Sequence, residues 1–284
     1  MSTIVLTSVS GAPGVTTTAI GLGRVWPQSS LVVEDDTHHA MLAGYLRAAQ
    51  HAEPNLATVA NLTATPTNAQ TVWESIARPL PTDDPVSGLR RKAVLGPPTP
   101  WSRAGIDPRW GFMLALWRQL AEAGIDTIID LGRLATPLTS TPHLIATPII
   151  DDADMILVMI EATLRDVAGA HTMIEGLAEQ MNLAGAHQRL GLLVHRGGAA
   201  RGVAEFTDKE ITSALQLPVC GSIVHDPVAA AQLSDGVGQR FDKSRLARSL
   251  SKVAGVLVDV IGRRRADSKA VSYTHLTLPT IYSV

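Results

Sequence analysis

The stretch Thr3-Ile4-Val5-Leu6-Thr7-Ser8-Val9-Ser10-Gly11-Ala12-Pro13-Gly14-Val15-Thr16-Thr17-Thr18 decides how the chain is read. A β-branched apolar run ends at Ser10-Gly11, and a helical pattern starts near Val15. A strand buried on both faces reads as such a continuous apolar run. Similar runs recur at Leu31–Val33, Ala93–Leu95, Thr127–Leu131, Met155–Ile160, Leu190–Val194 and Val219–Val224. Helix candidates lie near 15–25, 39–50, 108–124, 165–181, 207–216 and 243–262. Alternation of this kind predicts an α/β fold: a mostly parallel sheet of about seven strands with helices on both faces. One domain over 1–265 accommodates it. The segment 63–109 carries Pro66, Pro79, Pro81, Pro85, Pro97, Pro98, Pro100 and Pro108, and reads as an excursion from the sheet.

Composition narrows the function classes. Hydrophobic residues make up 45% of the 284 residues and charged residues 18%, which excludes a disordered chain. A net charge of −2 gives no global basic field toward nucleic acid or membrane. The single cysteine, Cys220, excludes intrachain disulfides and a Cys-based zinc site, and reads as a small buried hydrophobe in a strand. No apolar run reaches the roughly 18 residues of a membrane span. Met1–Val9 has no basic residue ahead of its apolar stretch, so a cytoplasmic protein is expected. Of the 24 basic residues 19 are arginine, and the first lysine is Lys92. Val271–Val284, with Tyr273 and Tyr282, resembles a translated sequencing adapter; residues 266–284 are read as a disordered or artefactual tail.

A phosphate-cradling loop needs glycines that turn backbone N–H groups inward and a helix N-terminus behind them. It also uses a lysine for the β/γ-phosphates and a Ser/Thr hydroxyl for Mg²⁺. Against the pattern G-x-x-x-x-G-K-[ST], Gly14 and Thr16 fit, while Val9 replaces the first glycine and Val15 the lysine. Taken alone, these residues also read as an ordinary tight strand-to-helix turn. Two acidic strand ends strengthen the phosphate reading: Glu34-Asp35-Asp36, and Asp130 within Ile128-Ile129-Asp130-Leu131-Gly132-Arg133. Ligands of open α/β sheets bind outside the carboxyl ends of the strands, where carboxylates can hold Mg²⁺. Such acids also serve as helix caps.

Together these segments resemble the ParA/MinD-type deviant P-loop ATPases, over residues 3 to about 262. Ser10–Thr17 aligns without a gap with that family's K-G-G-x-G-K-[ST]-T, and S-G-x-P-G-V-T-T-T marks a divergent branch. Glu34-Asp35-Asp36 matches D-x-D, and Ile129-Asp130 the Walker B end. His195-Arg196 stands where the family has Asn-Arg beside adenine. Gly221-Ser222-Ile223-Val224-His225-Asp226 is similar to G-x-I-P-x-D. The resemblance implies a nucleotide-dependent switch that partitions or positions DNA or a cellular machine. It implies ATP bound through Ser10, Gly11, Ala12, Pro13, Gly14, Val15, Thr16 and Thr17, with His195 and Arg196 on the base side. Mg²⁺ would sit on Thr16, Asp36 and Asp130, with Asp36 as the catalytic carboxylate. A homodimer and a protein partner are implied as well.

The departures shape the expectation. Both family lysines are replaced, by Ser10 and Val15. Losing one charge-stabilising donor costs on the order of 10²–10³ in rate, so weak or absent ATPase activity is expected. Arg133, three residues past Asp130, is a candidate substitute cation. The alternative is a non-enzymatic adaptor that acts through protein contacts.

Neighbouring helix side chains do not share a face, so His38-His39 does not read as a metal pair. Near the end, Leu246, Leu250, Val253, Leu257, Val260 and Ile261 form an apolar stripe, with Arg245, Arg248, Lys252 and Arg263–Arg265 off it. That pattern suits a last helix packed on the sheet, and also a membrane-surface helix. The basic residues also suit non-specific DNA contact, which the net charge does not favour.

Overall fold

The computed structural model describes residues 2–9, 14–35, 54–62, 69–80, 88–97, 99, 102–133, 147–180, 189–197, 204–234 and 241–274. Their strands are β1 (Thr3–Ser8), β2 (Ser29–Glu34), β3 (Arg78–Pro79), β4 (Arg91–Val94), β5 (Ile125–Arg133), β6 (Met155–Glu161), β7 (Leu190–Arg196) and β8 (Val219–Val224). They form one sheet in the order β3-β4-β2-β5-β1-β6-β7-β8. All pairings are parallel except that of β3 with β4. The α/β architecture and the seven expected runs are thus observed, with one strand added. β3 has only two residues, and Pro79 cannot donate to a ladder, which confines it to the sheet edge.

The helices are α1 (Val15–Val25), α2 (Leu56–Asn61), α3 (Ala69–Thr71), α4 (Arg103–Ile106), α5 (Trp110–Glu122), α6 (Thr147–Asp152), α7 (Leu164–Gln180), α8 (Asp208–Leu215), α9 (Pro227–Ser234) and α10 (Arg245–Thr274). The candidate helix at 39–50 and His38-His39 lie outside the described residues.

Strand side chains alternate between two cores. Val5, Val33, Ile129 and Ile156 face the layer of α2, α3, α5 and α7. Ile4, Val32, Ile128 and Leu157 face α1, α9 and α10. The register Val33↔Ile129↔Val5↔Ile156 stacks one such row across four strands. Burial on both faces is why these strands read as unbroken apolar runs.

The proline-rich excursion is more ordered than a loop. Just ahead of it, Asn55 caps α2, its side chain accepting from Ala57 N at 2.9 Å and Thr58 N at 3.2 Å. A π turn, Val72–Ile76, follows α3 and buries Trp73 completely. Lys92 Nζ donates to Trp73 O at 2.5 Å and lies 4.9 Å from the centre of its ring. The first lysine of the chain is therefore structural.

α10 decides between the readings of the last helix. Leu246, Leu250, Val253, Leu257 and Ile261 are buried against β8 and α1, while Arg245, Arg248, Lys252 and Arg263 are exposed. The apolar stripe is core. Gly221 of β8 permits this contact, since a Cβ there would lie 2.6 Å from Val253 Cγ2. The helix extends to Thr274, well past the expected end near 262 and into the stretch read as a tail. Arg24, in the last turn of α1, ties α1 to the turn ahead of α10. It meets Asp242 at 3.1 Å and stacks 4.7 Å from the Phe241 ring centre. Burial pushes the Cys220 thiol above its ordinary range.

Candidate functional site

The site lies at the carboxyl ends of the strands, where β1 hands over to α1. Gly14 is the N-cap of α1 at φ +79°, a left-handed conformation that favours glycine. Its carbonyl accepts from Thr18 N at 2.8 Å. Among the described residues no side chain caps this helix, and its first turn holds no acid. The first N–H groups of a helix have no intrahelical partner and attract anions. Thr16 and Thr17 are half-buried beside them. Val15 is only 3% exposed and belongs to the apolar core on the α1 face of the sheet, along with Ile4, Leu6 and Ala19. Ser10, Gly11, Ala12, Pro13 and Asp36 lie outside the described residues.

Across the sheet, Glu34 and Asp130 are paired in register at the ends of β2 and β5, both fully buried. Glu34 Oε2 accepts from Gly96 N at 2.8 Å, which anchors the end of β4. Asp130 Oδ1 accepts from Gly132 N at 2.8 Å, and Asp130 O from Asp35 N at 2.8 Å. Thr7 Oγ1 donates to Gly132 O at 3.1 Å, locking this turn onto β1. Asp130 is thus held rigidly at the strand ends. Arg133 closes β5 opposite Ser8 and is exposed.

On the other side of α1, a cavity of about 420 Å³ runs from Gly14, Thr17 and Thr18 to the ends of β6, β7 and β8. Glu161, His195, His225 and Asp226 line it. The His195 and His225 rings meet edge to face, with centroids 5.3 Å apart at 76°. His195 Nδ1 lies 4.0 Å from Glu161 Oε1. That nitrogen is buried and has no hydrogen-bond partner among the described residues. Burial, then the nearby His225, hold the His195 imidazole below its usual value, while Glu205 opposes them. Asp226 Oδ1 accepts from Ala229 N at 3.1 Å and caps α9.

Arg196 is committed elsewhere. Its Nη1 donates to Phe206 O at 2.5 Å and lies 3.5 Å from Glu205, and its Nη2 pairs with Asp208. The guanidinium therefore pins the segment leading into α8. Glu161 and His225 were not singled out in the sequence, although each is a polar residue just past an apolar run, and that position is itself a signal. Among the described residues, no group of three or more His, Cys, Asp or Glu has metal-holding geometry. Nor is any helix among them long and apolar enough to cross a membrane.

No family model matches the chain, and no curated protein matches its sequence. Solved structures do match. A ParA family ATPase from Chlorobium tepidum TLS superposes with TM-score 0.65 at 16% identity, covering 89% of this chain and 97% of that one. A chain of the MinC:MinD cell division complex of Aquifex aeolicus gives TM-score 0.65 at 16% identity, with 91% and 96% covered. The septum site-determining protein MinD of Pyrococcus horikoshii OT3, complexed with Mg-ADP, gives 0.59 at 15% identity, with 89% and 94% covered. At such low identity what these matches establish is the architecture: the chain has the fold of the ParA and MinD ATPases.

Proposed function

We propose that the chain is a nucleotide-binding switch of the ParA/MinD kind. It would work in the cytoplasm, partitioning or positioning DNA or a cellular machine, with weak or absent ATPase activity. The cavity that joins the first turn of α1 to the ends of β6, β7 and β8 carries this reading. Its donors suit a nucleoside phosphate in kind: helix N–H groups and the Thr17 hydroxyl at one end, imidazoles at the other. MinD of Pyrococcus horikoshii was solved with Mg-ADP, which makes ATP and Mg²⁺ the ligands to test.

In this reading Ser10–Thr17 wraps the phosphates, and Thr16, Asp36 and Asp130 hold Mg²⁺. The metal would neutralise phosphate charge, a role for which hard oxygen ligands are suited. Asp36 orients water, Arg133 supplies charge from the end of β5, and His195 contacts the base. Arg196 fixes the 205–208 segment behind it. A homodimer formed on nucleotide and a protein partner complete the proposal.

The buried Val15 favours weak hydrolysis, because a side chain turned into the core leaves no donor at the lysine position. It equally supports the second reading, an adaptor that acts by contact alone. Titration with labelled ATP, with and without Mg²⁺, separates the two. Saturable Mg²⁺-dependent binding without phosphate release is the expected result. No saturation at nucleotide concentrations far above cellular levels leaves the adaptor. A monomer-to-dimer shift on adding ATP tests the homodimer.

A further inference from the structure

The base end of the cavity holds more ionisable groups than base recognition requires. His195 is faced from every side by groups that titrate or carry charge. Glu161 approaches from the end of β6, His225 and Asp226 from beyond β8, and Glu205 from ahead of α8. Glu205 is itself engaged by Arg196 at 3.5 Å and by Gly197 N at 2.7 Å. α1, α9 and α10 contribute no ionisable side chain to the lining.

The described lining carries two carboxylates, Glu161 and Asp226, and no lysine or arginine. A nucleoside phosphate with its phosphates at Gly14 and Thr17 adds negative charge to the same cavity. Negative charge within reach of an imidazole favours its protonated form. The His225 ring, 5.3 Å away, is one of the groups that hold the His195 proton off.

Resting on the nucleotide reading above, we propose that His195, beside the His225 ring at the base end of the cavity, takes up a proton as a nucleoside phosphate binds. The buried Nδ1 of His195 is the atom placed for it, with Glu161 Oε1 4.0 Å away to accept the new N–H after a small approach. The imidazole is held below its ordinary value by burial and by His225, so in the free protein it has a proton to gain. The proton comes from solvent, and no covalent bond changes.

Calorimetric titration of the full chain with Mg-ADP, in buffers of different ionisation enthalpy, measures this directly. The expected result is a net uptake of roughly a quarter to a half of a proton per nucleotide, averaged from pH 6 to pH 8, with the roughly threefold to tenfold tighter binding at pH 6 that this implies. The double variant His195→Gln/His225→Gln should lose that uptake. Comparing the two proteins also removes ionisation of the nucleotide's own phosphate, which titrates near about 6. Should the double variant fail to fold, His225→Gln alone serves, because His225 is exposed. Without its repelling neighbour His195 gains its proton more easily, so the uptake maximum moves to higher pH. Saturable binding with uptake unchanged by these substitutions overturns this proposal and leaves the nucleotide reading standing. Absence of saturable binding at every pH overturns both.

Discussion

The two ends of the cavity are built from opposite materials. At the α1 end the cavity is lined by backbone and hydroxyls: a left-handed Gly14, the start of a helix and threonine side chains, with Val15 buried in the core. At the β7–β8 end it is lined by ionisable side chains, His195, His225, Glu161 and Asp226, within one cavity wall. The loop Ser10–Thr17 carries no ionisable side chain, so the first end has a charge state that pH does not change. The second holds His195, an imidazole that burial and the nearby His225 keep below its ordinary value.

Substitutions at the α1 end sharpen this contrast most. Val15→Lys would put a lysine where the pattern G-x-x-x-x-G-K-[ST] has one, but the side chain at 15 is 3% exposed. Burying an ammonium there should cost about 3 kcal/mol or more, seen as a lower denaturation midpoint. An unchanged midpoint with new phosphate release would mean that position 15 does face the phosphates. Asp130→Ala removes the acceptor of Gly132 N in a fully buried turn and should cost about 1–3 kcal/mol in urea melts. Mg²⁺-dependent nucleotide binding should disappear with it. Gly14→Ala forces a Cβ into a left-handed residue, with an expected loss of about 1–2 kcal/mol and weakened nucleotide binding.

The smallest effect belongs to the β7–β8 end. His195 has its folded value below the unfolded 6.5, so the unfolded chain takes the proton first as pH falls. Stability from keeping this imidazole neutral is complete above pH 6.5 and is lost as pH drops from there through the folded value. His195→Gln should flatten that part of the stability profile. An equally steep acid profile in the variant would place the titration elsewhere.

Legibility in the sequence followed the same divide. Strands buried on both faces announced themselves, because a parallel sheet between two helical layers demands unbroken apolar runs. β3 did not, since Arg78-Pro79 is two residues held only by the edge of β4. The π turn at Val72–Ile76 was equally hidden, because its stability comes from Lys92 reaching across from β4. In the candidate site, Thr16, Thr17 and Asp130 were visible through motif spacing. The inward direction of Val15 was not, because spacing does not say which way a first-turn side chain faces. Glu161 and His225 escaped because only folding brings three strand ends together.

The clasp at the far end of α1 has a mechanical consequence. α1 has 11 residues and so is about 16 Å long. One tip is Gly14, and near the other Arg24 is bolted to Asp242 and Phe241 at the root of α10. The clasp therefore joins the helix that carries the candidate phosphate turn to α10, the longest helix among the described residues, at a point about three turns from Gly14.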